Sequence, residues 1–418
     1  MQPKIKTFWN IAILCIGLFV ILYVCLAEEQ GPEPVIAQSP PLANVRVLLD
    51  DNAQKIQFRI DDDYQIINYD TMEIFRAEGT ACVIELATDS NTIWVGQQSF
   101  KTSRLIIQSQ HNQPFVINGN QKYRGGLDMI INPGGKSMTL INNVPMESYL
   151  AGVIASEMPS YWETEALKAQ AIAARTYCLF IKTKFGVNRS WDVKATQANQ
   201  VYKGVNAETV RTSDAVNSTR GMILCCQQES GDCEPFPAYY SSACGGHTED
   251  SENVFGDSYE TLKGVNCAYC KTTTRPSLFY WPDAKFDKKT VSDNILERYP
   301  SLKELGTIEK IEAAKQSVYE NKFTRITSVK LTGSVEGKTG YLRAEDLRLA
   351  IDSSGSKIQS ACCTIVSVDK EFLFVAGKGF GHGVGLCQYG AREMARQGKT
   401  AEQILNLYYT GNRIKTIY

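Results

Sequence analysis

Residues 147–182 hold the stretch Glu147-Ser-Tyr-Leu-Ala-Gly-Val-Ile-Ala-Ser-Glu157-Met-Pro159 and, shortly after it, Glu165-Ala-Leu-Lys-Ala-Gln-Ala-Ile-Ala-Ala-Arg-Thr-Tyr-Cys-Leu-Phe-Ile-Lys182. Tyr149, Leu150, Val153 and Ile154 recur at helical spacing. Pro145 suits a first turn and Pro159 stops the helix, because an interior proline removes a donor and clashes with the preceding turn. The residue before a proline is pushed out of α conformation, which places Met158 outside the helix and Glu157 at its end. There the negative pole of the helix dipole disfavours ionisation and keeps a proton available for acid chemistry. The second segment aligns Leu167, Ala171, Ala174, Cys178 and Ile181 as an apolar stripe, with Gly186 as its expected C-cap. Lys168, Arg175 and Lys182 mark a different face, which by itself reads as a solvated helix surface.

Upstream, the pattern changes to short apolar or alternating runs: Val45–Leu49, Ile56–Ile60, Thr92–Val95, Arg104–Ile107 and Met138–Ile141. Asn118-Gly119 is a hairpin signal and Gly134-Gly135 another turn, so residues 45–145 read as a β-rich domain and 146–418 as a helical core. The expected fold class is α+β. Downstream, Pro235 to Pro276 is a cysteine- and glycine-bearing loop region, and Trp281 to Gly340 gives mixed helix and strand signals. Phe372–Val375 reads as a strand, Gly377–Gly385 as a glycine-rich passage, and Gln388–Gln397 as a helix.

The 44 Lys+Arg and 45 Asp+Glu nearly cancel, without a long run of either sign, so nucleic acid has no electrostatic footprint on this chain. Residues 1–7 form a short basic N-terminus, and residues 8–27 are apolar and long enough to cross a hydrocarbon core as one helix. Lys4 and Lys6 before it and Glu28 and Glu29 after it place everything beyond Ala27 outside the cell membrane. A cleaved signal peptide is the competing reading and leads to the same compartment. Pro32, Pro34, Pro40 and Pro41 suit residues 28–44 to an extended tether.

Of 13 cysteines, Cys15 and Cys25 fall in the apolar segment, leaving an odd number outside that cannot all pair as disulfides. Cys244-Gly-Gly-His247 and Cys267-Ala-Tyr-Cys270 are two close ligand pairs, and together they supply a Cys3His set for a structural zinc near residues 240–272. A disulfide among Cys244, Cys267 and Cys270 is the alternative, and no organic cofactor is indicated. The glycines around His382 lack the Lys-Ser/Thr ending of a phosphate loop. Their alternation instead suits a close approach by a sugar chain or another backbone. Cys387 reads as a small buried thiol. Glycoside cleavage by two carboxylates needs a partner for Glu157, and Glu147 would lie about 15 Å away along the helix, too far to share one bond. Glu163, Glu165, Glu249 and Asp250 stay open as partners. A substrate that supplies its own nucleophile removes the need for one.

Tyr123-Arg-Gly125, Glu147–Val153, Glu157-Met-Pro159, Ala166–Gln170, Ala173–Tyr177, Tyr240–Gly246 and Gly379–Ala391 resemble, in order, motifs of the stage II sporulation protein D family. The resemblance implies a membrane-anchored, single-pass lytic transglycosylase of bacterial peptidoglycan, with its C-terminal domain outside the membrane. It implies Glu157 as the general acid/base, and glycan strands already stripped of peptides by a cell-wall amidase partner. Lys168, Arg175, Tyr177, Tyr240, His382, Gln388 and Tyr389 become candidate substrate-binding residues by the same resemblance, which also supports zinc at Cys244, His247, Cys267 and Cys270. Related domains occur in amidase enhancers, so a non-catalytic glycan-binding module is the competing expectation. A zinc-dependent peptidase is a third, and would need an open metal site.

Overall fold

The computed structural model describes residues 44–79, 81–86, 91–227, 233–319 and 322–418. The expected membrane helix and nearly all of the tether lie outside the described residues. Among the described residues no helix is long and apolar enough to cross a membrane. Asn44–Tyr418 forms one compact unit.

Twelve strands precede the first described helix: β1 (Asn44–Ala53), β2 (Lys55–Ile60), β3 (Tyr64–Asn68), β4 (Ile74–Ala77), β5 (Ala81–Leu86), β6 (Thr92–Val95), β7 (Gln98–Lys101), β8 (Arg104–Ser109), β9 (Phe115–Ile117), β10 (Gln121–Tyr123), β11 (Gly126–Ile131) and β12 (Met138–Pro145). With β13 (Val193–Lys194) they make a seven-stranded sheet, β13-β1-β12-β11-β8-β3-β4, and a six-stranded sheet, β10-β9-β2-β5-β6-β7. Period-two burial is plain in β2, where Ile56, Phe58 and Ile60 point inward while Lys55, Gln57 and Arg59 face out. Asn118 and Gly119 both take positive φ in the three-residue turn, Asn118 to Asn120, that joins β9 to β10.

β12 runs directly into helix α1 (Met146–Glu157), with Pro145 at its N-cap. Met158 is extended at φ −138°, ψ 131°, so the helix ends where Pro159 dictates. Helix α2 (Thr164–Phe185) buries Leu167, Ala171, Ala174, Cys178 and Ile181 as the periodicity predicts. Gly186 follows it, but at φ −65° rather than in a left-handed cap. Its glycine has another cause: a Cβ there would stand 2.4 Å from the Asp192 carboxylate, which Arg46 and Lys182 clamp. Helix α3 (Val210–Ser218), capped by Thr209, completes the helical layer.

One hydrophobic core runs from Val45 and Phe58 through Tyr149, Leu150 and Leu167 to Leu405 and Tyr409, crossing the division expected at residue 145. A second core, from Trp281 to Phe374, belongs to the segment whose sequence was least readable. It contains the hairpin Ile308–Val318 with Thr324–Gly333, a third strand Thr339–Arg343, and helices Lys288–Arg298 and Ala344–Ile351. Helices Gln388–Arg396 and Ala401–Tyr408 then return to α2.

Candidate active site and thiol cluster

Glu157 is half-buried at the last position of α1, where its Oε1 accepts the Val201 amide N–H at 2.8 Å. That loop is held from below. The Tyr149 hydroxyl donates to Gln200 Oε1 at 3.0 Å, and Gln200 Nε2 donates to the Ala174 carbonyl and the Tyr240 hydroxyl, each at 3.1 Å. Tyr149 and Gln200 are fully buried, so this chain of polar groups is rigid support rather than solvent contact. Burial, and then the charge of Glu157, push the Tyr240 phenol well above its ordinary range. It therefore keeps its O–H proton.

The electrostatics of Glu157 differ from those of five other interior carboxylates, each of which faces an arginine. Asp128 faces Arg104, Glu147 faces Arg175, Asp192 faces Arg46, Glu249 faces Arg325 and Glu345 faces Arg348. No cation pairs with Glu157 among the described residues. Burial raises its carboxyl above the usual range, against the opposing pull of the Val201 N–H. Where other described carboxylates are displaced, as at Asp70, Glu165 and Glu345, the direction is downward. A positioned carboxyl whose hold on its proton is strengthened by burial is what general-acid chemistry needs.

The other carboxylates considered as partners are engaged elsewhere. Glu163 lies 3.5 Å from Arg392, and Glu165 pairs with Lys168 at 2.8 Å and accepts the Ala401 N–H. Glu249 takes donors from Ser317, Tyr319 and Asn253, while Asp250 pairs with Lys263. Glu147 is bound by Arg175, the Gly221 N–H and the Tyr418 hydroxyl.

Among the residues expected to touch substrate, Arg175 requires correction. It is fully buried, gives a bidentate pair to Glu147 at 3.0 and 2.5 Å, and donates to the Met222 and Val216 carbonyls. With its donors spent in the core, it orders helices and reaches no ligand. Lys168 is half-exposed beside Glu165. Tyr177 is buried, its hydroxyl accepting from Asn199 at 3.3 Å. His382 is fastened at both ring nitrogens: Nδ1 accepts the Val384 N–H at 3.1 Å, so Nε2 carries the proton and donates to the Tyr240 carbonyl at 2.9 Å. Burial pulls its pKa down to about 4. It is a neutral tie between the glycine-rich passage and the Tyr240 strand. Gln388 donates to Gln170 at 3.4 Å in a buried seam where Gln170 Nε2 and Ser241 Oγ have no partner among the described residues, and the Tyr389 ring meets Trp162 edge-on at 4.8 Å. Tyr161, just past the acid, is 67% exposed, and neither it nor the Val201 amide carried any motif signal. A 610 Å³ hollow between Gln57, Arg59, Cys82 and Gly119 is lined by none of the expected site residues.

The metal-ligand expectation is corrected in one member. Cys244, Cys267 and Cys270 converge with Cys387, all four sulfurs within 4.8 Å of one another and all buried. His247 stays apart. Its Nδ1 donates to the Thr248 carbonyl at 2.6 Å and its ring stacks on Tyr319 at 3.5 Å. Cys387 arrives through the parallel pairing of Leu386–Cys387 with Tyr240–Ser241, a long-range contact invisible to local spacing. The glycine-rich passage makes that pairing possible: Gly385 has φ +68°, and a Cβ would stand 2.1 Å from the Tyr239 carbonyl. The four thiols are free rather than joined as disulfides. Four thiolates around a zinc lie about 3.8 Å apart, and Cys244 and Cys270 are already 3.6 Å apart. The donor set fits a closed tetrahedral cation, with the Cys244 N–H on Cys387 and the Tyr408 hydroxyl on Cys267 as outer supports.

A family model described as stage II sporulation protein matches residues 134–225, a span containing Glu157, Lys168 and Arg175. The chain is 32% identical over 372 residues to an uncharacterised protein of Brachyspira hyodysenteriae, covering 88% of this chain and 91% of that one. It is 31% identical over 290 residues to stage II sporulation protein D of Bacillus subtilis, covering 66% and 75% of the two chains. Similarity to the Bacillus subtilis amidase enhancer is 26% over 395 residues, covering 86% of this chain but only 52% of that protein.

Two outcomes follow from this geometry. Arg175→Met leaves Glu147 buried without its cation and is expected to cost about 3–5 kcal/mol, read as a shifted denaturant midpoint, with any activity loss tracking the unfolded fraction. Glu157→Gln acts in the opposite direction. Burial raises the Glu157 carboxyl above its unfolded value, so the native state is favoured while the group is protonated and loses that advantage as pH rises through the unfolded and then the folded pKa. The Gln variant keeps the Val201 hydrogen bond without the charge. Thermal melts should place it about 1–2 °C above the parent at pH 7, with the gap closing toward pH 4. A variant less stable than the parent at pH 7 would contradict the burial argument.

Proposed function

The chain belongs to the stage II sporulation protein D family, and on that premise we propose that it remodels the cell wall as a lytic transglycosylase of peptidoglycan. The observation that carries this reading is Glu157, a half-buried carboxyl without a cation partner among the described residues, whose affinity for its proton is raised by burial. In the proposed step Glu157 protonates the oxygen leaving N-acetylmuramic acid C1 toward N-acetylglucosamine, and that C–O bond breaks. The resulting carboxylate takes the proton of the muramoyl 6-hydroxyl as its oxygen closes onto C1, leaving a 1,6-anhydro end. No water is consumed. The engagement of Glu147, Glu163, Glu165, Glu249 and Asp250 elsewhere supports a route needing no second carboxylate. In this reading the Tyr240 hydroxyl, which accepts from Gln200, would donate toward the substrate, and exposed Tyr161 would offer a face for a sugar ring.

Peptide-stripped glycan strands are the proposed substrate, an amidase the proposed functional partner, and residues 8–27 a single membrane anchor that keeps the body outside the membrane. The second reading, a glycan-binding amidase enhancer, draws on the match to the Bacillus subtilis protein of that name. We assign a structural zinc to Cys244, Cys267, Cys270 and Cys387. Burial keeps the Cys244 and Cys387 thiols protonated, a cost that a divalent cation removes by stabilising the thiolates. With four protein ligands the shell is closed, so the ion staples the fold and activates no water.

Incubating the full chain with peptide-free glycan strands should yield fragments one water lighter than hydrolysis products by mass spectrometry. Glu157→Gln should reduce that yield by at least about 100-fold. Ordinary reducing ends would mean hydrolysis, and intact strands together with stimulation of an added amidase would select the enhancer reading. For the metal, Cys387→Ser should lose most of the bound zinc measured by elemental mass spectrometry and melt several degrees lower, whereas His247→Ala should retain it. Equal zinc in Cys387→Ser and the parent would remove Cys387 from the ligand set.

A further inference from the structure

The end of α2 and the turn beyond it run Lys184-Phe185-Gly-Val187-Asn-Arg189-Ser-Trp191, and apolar and basic side chains interleave on their surface. Phe185 is 44% and Val187 74% exposed, both large values for apolar residues. Lys184 Nζ lies 5.0 Å from the Phe180 ring and 5.7 Å from the Phe185 ring. The Arg189 guanidinium lies 3.8 Å from the Trp191 ring, and Lys194 Nζ lies 5.6 Å from the same ring. Among the described residues, Lys184, Arg189 and Lys194 have no carboxylate partner. The adjacent Asp192 is buried and already shared by Arg46 and Lys182.

The second observation is where the chain enters the compact unit. Lys182 Nζ donates to the Asn44 carbonyl at 2.6 Å, and Arg46 Nη2 donates to the Gly186 carbonyl at 2.6 Å. The patch therefore surrounds the point at which the tether joins β1. A tether of residues 28–44 spans at most about 60 Å, and its shortness gives a high local concentration to any surface near its attachment.

We propose that this basic-aromatic surface docks onto the face of an anionic lipid bilayer. The proposal rests on the reading of residues 8–27 as a membrane anchor. Phe185, Val187 and Trp191 supply the amphipathic and apolar groups suited to the headgroup region, and Lys184, Arg189 and Lys194 supply charge for anionic headgroups. Docking also sets geometry. α2 is 22 residues long, about 33 Å, and Glu157 precedes its start while the patch follows its end. The acid is thereby held off the lipid, on the side where glycan strands lie.

The test uses the full chain in nanodiscs of phosphatidylcholine alone or with one-third phosphatidylglycerol, followed by hydrogen–deuterium exchange over residues 184–194. Exchange at least five-fold slower in the anionic discs is expected, an effect abolished by 0.5 M salt and by the combined substitutions Phe185→Ser, Val187→Asp and Arg189→Glu in a variant with an unchanged melting midpoint. Equal exchange in the two disc types overturns the proposal, and so does equal protection by a soluble anionic polymer, which would identify a wall polymer as the occupant. A chain that fails to enter discs refutes the anchor reading separately. The surface is then judged by cosedimentation with phosphatidylglycerol vesicles, where ten-fold weaker binding of the variant supports it and unchanged binding overturns it.

Discussion

The buried pair between Arg175 and Glu147 is the constraint on which the placement of Glu157 depends. It joins the first turn of α1 to the middle of α2, and the remaining valences recruit the Val216 and Met222 carbonyls, the Gly221 amide and the Tyr418 hydroxyl. Removing two charges from water costs several kcal/mol per ion, so such a pair is tolerated only where its hydrogen-bonding capacity is nearly filled. Here it is filled by Val216 of α3, by Gly221 and Met222 just beyond that helix, and by Tyr418. α1 is therefore anchored at its beginning by charge and stopped at its end by Pro159, and Glu157 stands at the far end of a short rigid rod.

That arrangement explains why an arginine expected at the substrate proves to be internal. Position in a motif shared with a family records that a residue matters to the site, and a residue can matter by holding the helix that carries the acid. The contrast between the two glutamates on α1 makes the point. Glu147 has a cation, two further donors and an ordinary structural task, whereas among the described residues Glu157 has one amide donor and no cation. A fold that pairs Asp128, Glu147, Asp192, Glu249 and Glu345 with arginine and leaves Glu157 without one among the described residues carries a local cost, and such costs collect where chemistry is done.

Much of this was legible in the sequence, for physical reasons that can be named. Proline rules place the end of α1 to the residue, because they depend only on neighbouring sterics; Met158 is extended as expected. The strands read from alternation recur as β1, β2, β6, β8 and β12, since one face of each is buried. What failed was information carried by distant partners. The segment from Trp281 builds its own core from short strands and mixed patterns, and no local period announced it. The Cys-x-x-Cys and Cys-Gly-Gly spacings located three thiols, but the fourth comes from more than a hundred residues away, and the nearby His247 is drawn off by Tyr319 and the Thr248 carbonyl. Only the odd number of cysteines outside the apolar segment hinted that another thiol was engaged.

The thiol cluster and the acid are parts of one mechanical path. Cys244 lies four residues beyond Tyr240, and Cys387 adjoins Leu386, the strand partner of Tyr240. His382 ties the Tyr240 carbonyl to the glycine-rich passage, and its neutral tautomer is forced by the donor it accepts from Val384. Gathering the four sulfurs therefore fixes the two short strands, those strands fix the Tyr240 hydroxyl, and the hydroxyl accepts from Gln200, next to the Val201 amide that holds Glu157. Each link is a contact between segments far apart in sequence, so slack in any one would reach the acid as a loss of position rather than of chemistry. On this path the cluster lies remote from Glu157 yet bears on the precision of its placement.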